Sequence, residues 1–382
     1  MRIDLVFPAF PPSFDGIGDY TYHLASALSE DHQVRVLTAE SAPTPCPGAR
    51  VVTGFSLDSI RKIRLLEESI PQDLPDWVVV QYNPFSYGQW GFNPYLISTL
   101  RTLKARHPQL KVAVMVHEPF VPVESWQFAV MWTWQRTQFC QLGKLADTLF
   151  FPIQAWADIF TSWFPNASVN VLPVGSNIPN VRADRSTVRA DLDLSNRLVL
   201  GLFGNAHPSR QLPTVDLALN RLRTDGHSPV LLYIGNAGDQ VRDALSGHEM
   251  YDAGPLSAPD VSRHFAAMDL YLVPFTKGVS ARRGSFLTGI QHGIATISTY
   301  GIHTDPMLRE SADTGVFLAP DDDPSLFANH VELLARVDHR RAQQATKGAN
   351  FFSRHFTWPH IANQMVDTLD VSRPTLPSPV TY

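Results

Sequence analysis

The chain is poor in cysteine: its 382 residues hold two, Cys46 and Cys140. They lie far apart and outside any Cys-x-x-Cys or Cys/His spacing, so neither a disulfide framework nor a zinc site is expected, and a reducing, cytoplasmic setting fits. A surplus of positive charge is lacking too. Against 31 Lys and Arg stand 36 Asp and Glu, a formal net charge of -5, which is not the footprint of a nucleic-acid binder. No segment approaches the roughly 20 apolar residues that span a bilayer. The start, MRIDLVFPAFPP, is broken by prolines and reads as a strand rather than a signal peptide. Gly-x-Ser-x-Gly and His-Glu-x-x-His are absent, which disfavours the commoner esterase nucleophiles and zincins. Two Asp-x-Asp patterns, Asp321-Asp322-Asp323 and Asp191-Leu192-Asp193, lie between strand and helix patterns, where aspartate caps helices, and no metal site is assigned to them.

What is present is an ordinary globular balance, 44% hydrophobic and 18% charged, on a chain long enough for two domains. Short apolar runs alternate with longer helical patterns. Strands are expected at Ile3 to Phe7, Gln33 to Thr38, Trp77 to Gln81, Lys111 to Val116, Thr148 to Phe151 and Val169 to Leu172. A second series follows at Leu198 to Phe203, Val230 to Gly235, His248 to Asp252, Asp269 to Pro274, Ala295 to Thr299 and Gly315 to Leu318. This rhythm predicts an α/β protein with two doubly wound, Rossmann-like parallel-sheet domains. PVGSNIPN supplies two prolines and a glycine for a boundary within Pro173 to Asp184. In such sheets ligands sit beyond the carboxyl ends of the strands, so the two domains are expected to face a cleft.

The most informative stretch runs from Gly254 to Gly301. A buried strand there leads into a polar loop, Lys277 to Ser285, with Arg282 and Arg283 just ahead of a helix opening near Gly284. Uncapped backbone amides beside arginine favour a diphosphate. Adjacent residues at a helix start point in different directions, so one of the two arginines is expected to reach phosphate and the other to brace the loop or meet an acceptor. Asp15-Gly16-Ile17-Gly18-Asp19 follows the first strand, and its glycines suit either a ligand-bearing loop with free amides or an ordinary strand-to-helix turn. It fails as a dinucleotide fingerprint because Thr21 takes the third glycine position. His117 and Glu118 end a strand at the carboxyl edge. Gly204 to Arg210 follows the first strand of the second series. Aromatics cluster between Gln81 and Asn93, where Tyr82, Asn83 and Tyr87 suit a hydroxylated acceptor or a packed loop. Trp126, Trp132 and Trp134 are expected to pack along a helix. The sets Arg61, Lys62, Arg64 and Arg101, Lys104, Arg106 read as solvated helix faces, or as a peripheral contact with anionic lipid.

Taken in order, these features resemble the retaining GT-B glycosyltransferases of family 4. PAFPPSFDGIGDYTYHLASALSEDHQVRVLTAE (8 to 40) resembles that family's first strand, glycine loop, first helix and second strand. VMVHEPF (114 to 120) resembles its histidine loop, LPVGSNIP (172 to 179) its interdomain crossing, and FTWPHIA (356 to 362) its closing helix. The resemblance implies an acceptor-side domain of residues 1–175 completed by a helix at about 357–372, a donor domain of 176–356, and an extended tail at 373–382. It implies a metal-independent transfer of a sugar from a nucleoside-diphosphate sugar to a glycan, glycolipid or polysaccharide precursor, with no resident cofactor, in the cytoplasm or peripheral to the inner membrane face. The implied donor contacts are Gly16, Gly18, Asn205, Arg210, Ser280, Arg282, Arg283, Gly284, Ser285 and Thr288. His117, Arg210 and Arg283 would act on the transferred group, and Asp19, Tyr82, Asn83, Tyr87 and Glu118 would meet the acceptor. The sequence departs from the family at four positions. Asn205 replaces a cation, Arg210 replaces a lysine, and Ser280 and Thr288 replace both glutamates of the Glu-x7-Glu pattern. Those losses leave two alternatives: a non-catalytic relative that binds a nucleotide or partner, and a nucleotide-sugar epimerase.

Overall fold

The computed structural model describes residues 1–310 and 313–371; the tail expected at 373–382 lies outside the described residues. Contacts divide the chain into two compact units, Met1–Pro173 together with the residues from Trp358 on, and Val174–Thr357.

The first unit carries seven strands: β1 (Arg2–Val6), β2 (Gln33–Thr38), β3 (Arg50–Thr53), β4 (Trp77–Tyr82), β5 (Lys111–Val116), β6 (Thr148–Phe151) and β7 (Ser168–Val171). They form one parallel sheet in the order β3-β2-β1-β4-β5-β6-β7. All six expected strands of this half are present to within a residue. The edge strand β3 was not expected, because RVVT is short and half polar, without the apolar run of a strand covered on both faces. β1 and β2 are tied by a buried ion pair: Asp4 and Arg35 stand directly opposite in register, and Arg35 Nε donates to Asp4 Oδ1 at 2.9 Å. Arg35 Nη2 also donates to the carbonyls of Ile70 and Asp73.

The second unit carries β8 (Leu198–Phe203), β9 (Pro229–Ile234), β10 (Met250–Asp252), β11 (Leu270–Val273), β12 (Ala295–Tyr300) and β13 (Val316–Pro320). Its parallel order is β10-β9-β8-β11-β12-β13. Strands such as β9 and β11 are apolar at every position because helices cover both faces, which is what made them readable. In each sheet the chain winds first one way and then the other. The reversal lies between β1 and β4 in the first sheet and between β8 and β11 in the second. Open α/β sheets bind ligands at the carboxyl ends of the strands flanking such a point.

Candidate functional site

The two loops that leave β8 and β11 carry the expected arginines, and they are joined. Thr276 N donates to the Ser209 carbonyl at 2.8 Å, Gln211 N donates to the Pro274 carbonyl at 3.2 Å, and Arg210 faces Phe275 in an isolated antiparallel bridge. Arg210 lies with its guanidinium carbon 5.1 Å from the centre of the Phe275 ring. Its Nη2 donates to the Phe203 carbonyl and, at 3.2 Å, to Ser285 Oγ. Its Nη1 is buried and has no hydrogen-bond partner among the described residues. A buried cationic donor left unpaired is costly, and a ligand oxygen is one means of satisfying it. Gly204, at φ +103°, makes room for this arrangement, since a Cβ there would stand 3.0 Å from Arg210 Nη2. Arg283 lies over the same Phe275 ring at 4.6 Å and donates to Ser209 Oγ at 3.3 Å. Asn205 is exposed on the β8 loop.

The helix Gly284–Gln291 begins directly behind these arginines. Its N-cap position is Arg283, and no side chain caps it. The Tyr271 hydroxyl donates to the Ser285 carbonyl at 2.9 Å, which holds the first turn in place. Two carboxylates that sequence reasoning did not connect to this loop hold it from behind: Asp305 Oδ2 accepts from Ala281 N at 2.7 Å, and Asp321 Oδ2 accepts from Lys277 N at 2.8 Å. The Asp321–Asp323 run thus divides its work. Asp321 braces the loop, while Asp323 caps the helix Pro324–Arg336 by accepting from Leu326 N at 2.9 Å. In the other run, the cap expected of it is absent: Asp191 pairs with Arg263 and Asp193 turns through φ 55°.

The local field is positive. His303, whose backbone N–H donates to the Lys277 carbonyl, is held below the ordinary imidazole range by burial first, then by the charges of Lys277, Arg282 and Arg283. Ser280 and Thr288, expected at the places of the two glutamates, are 2% and 1% exposed. The Thr288 hydroxyl is already engaged, donating to the Gly284 carbonyl at 2.9 Å and lying 3.2 Å from Ser176 Oγ.

In the first unit, two amides of the glycine loop are taken within the chain, as in an ordinary strand-to-helix turn. Asp15 caps the helix Gly16–Leu28, its Oδ1 accepting from both Ile17 N and Gly18 N at 2.8 Å. This carboxylate occupies the place an anion would take. The two glycines also differ. A Cβ on Gly18 would stand 3.1 Å from the Ala9 carbonyl oxygen, whereas one on Gly16 would meet nothing within 4 Å. Asp19 lies half-buried in the first turn, its carboxyl pushed up by burial and then by the Asp15 charge.

His117, one residue beyond β5, is half-buried. Its Nε2 lies 2.8 Å from Gln81 Oε1 on β4, and its ring meets Tyr20 edge-on at 4.9 Å. Around it the Gln81 Nε2 and Tyr20 hydroxyl are buried without hydrogen-bond partners among the described residues. Gln81 escaped the sequence reading because a glutamine inside an apolar run carries no motif. Glu118 is half-buried, its N–H 3.4 Å from the Tyr82 carbonyl.

Of the two readings open for the aromatic loop, packing describes both tyrosines. Tyr82 and Tyr87 are core residues, 4% and 2% exposed. Tyr82 stacks on Phe139, and the Tyr87 hydroxyl lies 3.0 and 2.9 Å from the Val6 and Gln81 carbonyls. Asn83 Oδ1 caps the following turn by accepting from Phe85 N. The side chains this loop presents to solvent are instead Phe85, Trp90 and Phe92. Trp126, expected to pack, is 74% exposed.

No protein-family model matches the chain, and no curated protein does. Solved structures do. Over 97% of this chain and 98% of theirs, sucrose-phosphate synthase from Thermosynechococcus elongatus is similar with a TM-score of 0.73 at 15% identity. HepE from Anabaena, solved in complex with UDP and glucose, is similar with a TM-score of 0.68 at 15% identity, over 97% of this chain and all of that one. WaaG, a glycosyltransferase involved in lipopolysaccharide biosynthesis, gives 0.63 at 14% identity over 97% and 99%. What this chain shares with them, sheet for sheet, is the two-domain α/β GT-B fold.

Proposed function

We propose that this chain is a glycosyltransferase that takes its sugar from a nucleoside-diphosphate sugar, with the diphosphate seated on the second unit. The observation that carries this reading is the buried, unpartnered Nη1 of Arg210. It stands at the switch point of the second sheet, beside Arg283 and the uncapped start of the Gly284 helix. Arginine grips a diphosphate with directed, charge-assisted bonds. Such bonds strengthen as charge builds on the departing nucleotide, which is where they lower the barrier.

The resemblance to family 4 supports the finer reading of retention at the anomeric carbon. The bond from that carbon to the diphosphate oxygen breaks, and the bond to the acceptor oxygen forms on the same face. The acceptor proton passes to the leaving phosphate. His117, held by Gln81, would position the transferred sugar, and Glu118 and Asp19 would meet a hydroxylated acceptor, a glycan or lipid-linked precursor. Among the described residues no cluster of three or more His, Cys, Asp or Glu stands ready for a metal ion, and the reading places cationic stabilisation on arginine.

One set of observations favours a second reading, a nucleotide-binding protein without transfer. Both motif glutamates are replaced by buried hydroxyl residues, and the amides of the glycine loop are taken by Asp15. The test is an acceptor panel assayed for nucleoside-diphosphate release, with product anomers assigned by NMR. Acceptor-dependent release with retained configuration supports the first reading. Binding of a nucleotide sugar with no acceptor-dependent release at any pH selects the second.

A further inference from the structure

The loop that leaves β11 holds a strained residue that the diphosphate reading does not use. Among the described residues four non-glycine positions take a positive φ: Trp90, Asp193, Asn196 and Lys277. Aspartate and asparagine tolerate that region, because a short polar side chain can bond locally, whereas lysine has no such relief. Lys277 stands at φ 66° and the next residue, Gly278, at φ 83°. Gly278 N donates to the Phe275 carbonyl at 3.2 Å, so the chain turns back there, between the ring that carries both arginines and the arginine pair itself.

Three other loops hold Lys277 in this conformation. Beyond β13, Asp321 Oδ2 accepts from Lys277 N at 2.8 Å. Beyond β12, His303 N donates to the Lys277 carbonyl at 2.9 Å. Gly301 in that loop leaves the space for it, since a Cβ there would stand 2.6 Å from the Lys277 carbonyl carbon. Beyond β8, the Ser209 carbonyl accepts from the preceding residue, Thr276, at 2.8 Å. Both backbone polar groups of Lys277 are thus fixed. A non-glycine residue in the left-handed region persists only where its surroundings over-determine it, and such residues gather at ligand sites.

The backbone is locked while the side chain is exposed. Its charge falls on the site: His303 is depressed by Lys277 as well as by Arg282 and Arg283. The link is also geometric. Ser209, whose carbonyl holds Thr276, accepts from Arg283 Nη2 through its Oγ at 3.3 Å. Arg210 and Arg283 offer directed, planar donors to a phosphate. A lysine ammonium is a compact point charge on a flexible stem, able to follow whichever phosphate oxygen carries most charge. A fixed backbone below a free ammonium, next to two placed guanidinium groups, is the arrangement that suits a ligand with more than one ionised phosphate.

We propose that Lys277 binds the diphosphate beside Arg210 and Arg283, as a cation delivered by the β11 loop. This rests on the reading that the second unit seats a nucleoside diphosphate. The full chain is titrated calorimetrically with UDP, GDP, ADP and inorganic pyrophosphate, beside Lys277→Gln, Lys277→Asn, Lys277→Arg and Arg210→Gln, each with its melting midpoint measured. The two neutral Lys277 variants should bind about three- to tenfold more weakly, with the difference shrinking in salt, and Lys277→Arg should restore most of the loss. Asparagine accepts a positive φ, so Lys277→Asn should melt no lower than the parent and its loss of affinity reads the charge. Without ligand, NMR should find the His303 imidazole titrating at higher pH in both neutral variants than in the parent. Unchanged affinity in those variants, while Arg210→Gln loses binding, overturns the proposal and leaves the diphosphate reading standing. An unmoved His303 titration overturns it too. A parent that binds none of the four ligands removes that reading and the proposal together.

Discussion

Arg210 and Arg283 share one aromatic ring: their guanidinium carbons lie 5.1 and 4.6 Å from the centre of Phe275. Each cation gains from the ring, while Arg210 Nη1 is left buried and unpaired. An anion that accepts from Nη1 relieves that penalty. Replacing either by glutamine is expected to weaken binding of a nucleotide sugar by about 10- to 100-fold, the worth of a charge-assisted hydrogen bond. The double variant should lose less than the sum, because the two act on one ligand. Calorimetric titration of the four proteins checks this.

His303 gives the site a pH dependence. Its imidazole is depressed by burial and by Lys277, Arg282 and Arg283, so in the free protein it is neutral at pH 7. Its contribution to stability is present above the unfolded value and is lost as pH falls through the folded one. An anion that neutralises the arginines lifts one part of the depression, so binding takes up a proton. Affinity for a nucleotide sugar, whose diphosphate is fully ionised throughout, should therefore rise as pH is lowered from 7 toward the histidine's folded value. His303→Gln should flatten that dependence, and titrations in buffers of different ionisation heat report the proton directly.

The two glycines of the first loop should separate by substitution. Gly18→Ala places a Cβ 3.1 Å from the Ala9 carbonyl and is expected to cost about 1–3 kcal/mol. Gly16→Ala meets open space and should leave the denaturation midpoint within about 0.5 kcal/mol of the parent. Urea melts of both variants decide it.

Breaking the Asp4–Arg35 pair should be severe. Arg35→Met leaves a 2%-exposed carboxylate opposite an apolar side chain and is expected to cost about 3–5 kcal/mol. Asp4→Asn/Arg35→Met, which removes both charges, should recover much of that loss in the same melts.

The parallel strands were legible because strands covered on both faces need continuous apolar runs, as VLLYI and LYLV show. Edge strand β3 was not, since only part of it is covered. Arg210 and Arg283 were legible from their place after strands. Their shared ring and their bracing by Asp305 and Asp321 were not, because those contacts join loops far apart in sequence. The Asp15 cap is legible as an aspartate one residue before a helix, but glycines on both sides of Ile17 suit a ligand-bearing loop equally. Trp126 and Tyr87 exchanged their expected places because helical or loop position says nothing about which side a neighbouring element covers.

The proposed seat of a nucleoside diphosphate on Arg210 of the second unit has a simple readout. It is tested most directly by thermal shift of the full chain against UDP-, GDP-, ADP- and dTDP-sugars, with Arg210→Gln alongside and its own melting midpoint as reference. A ligand that binds only the folded state raises the midpoint by mass action. One of these nucleotides should raise the midpoint of the parent, and Arg210→Gln should lose that rise. No shift with any of them, or an equal shift in the variant, would contradict it.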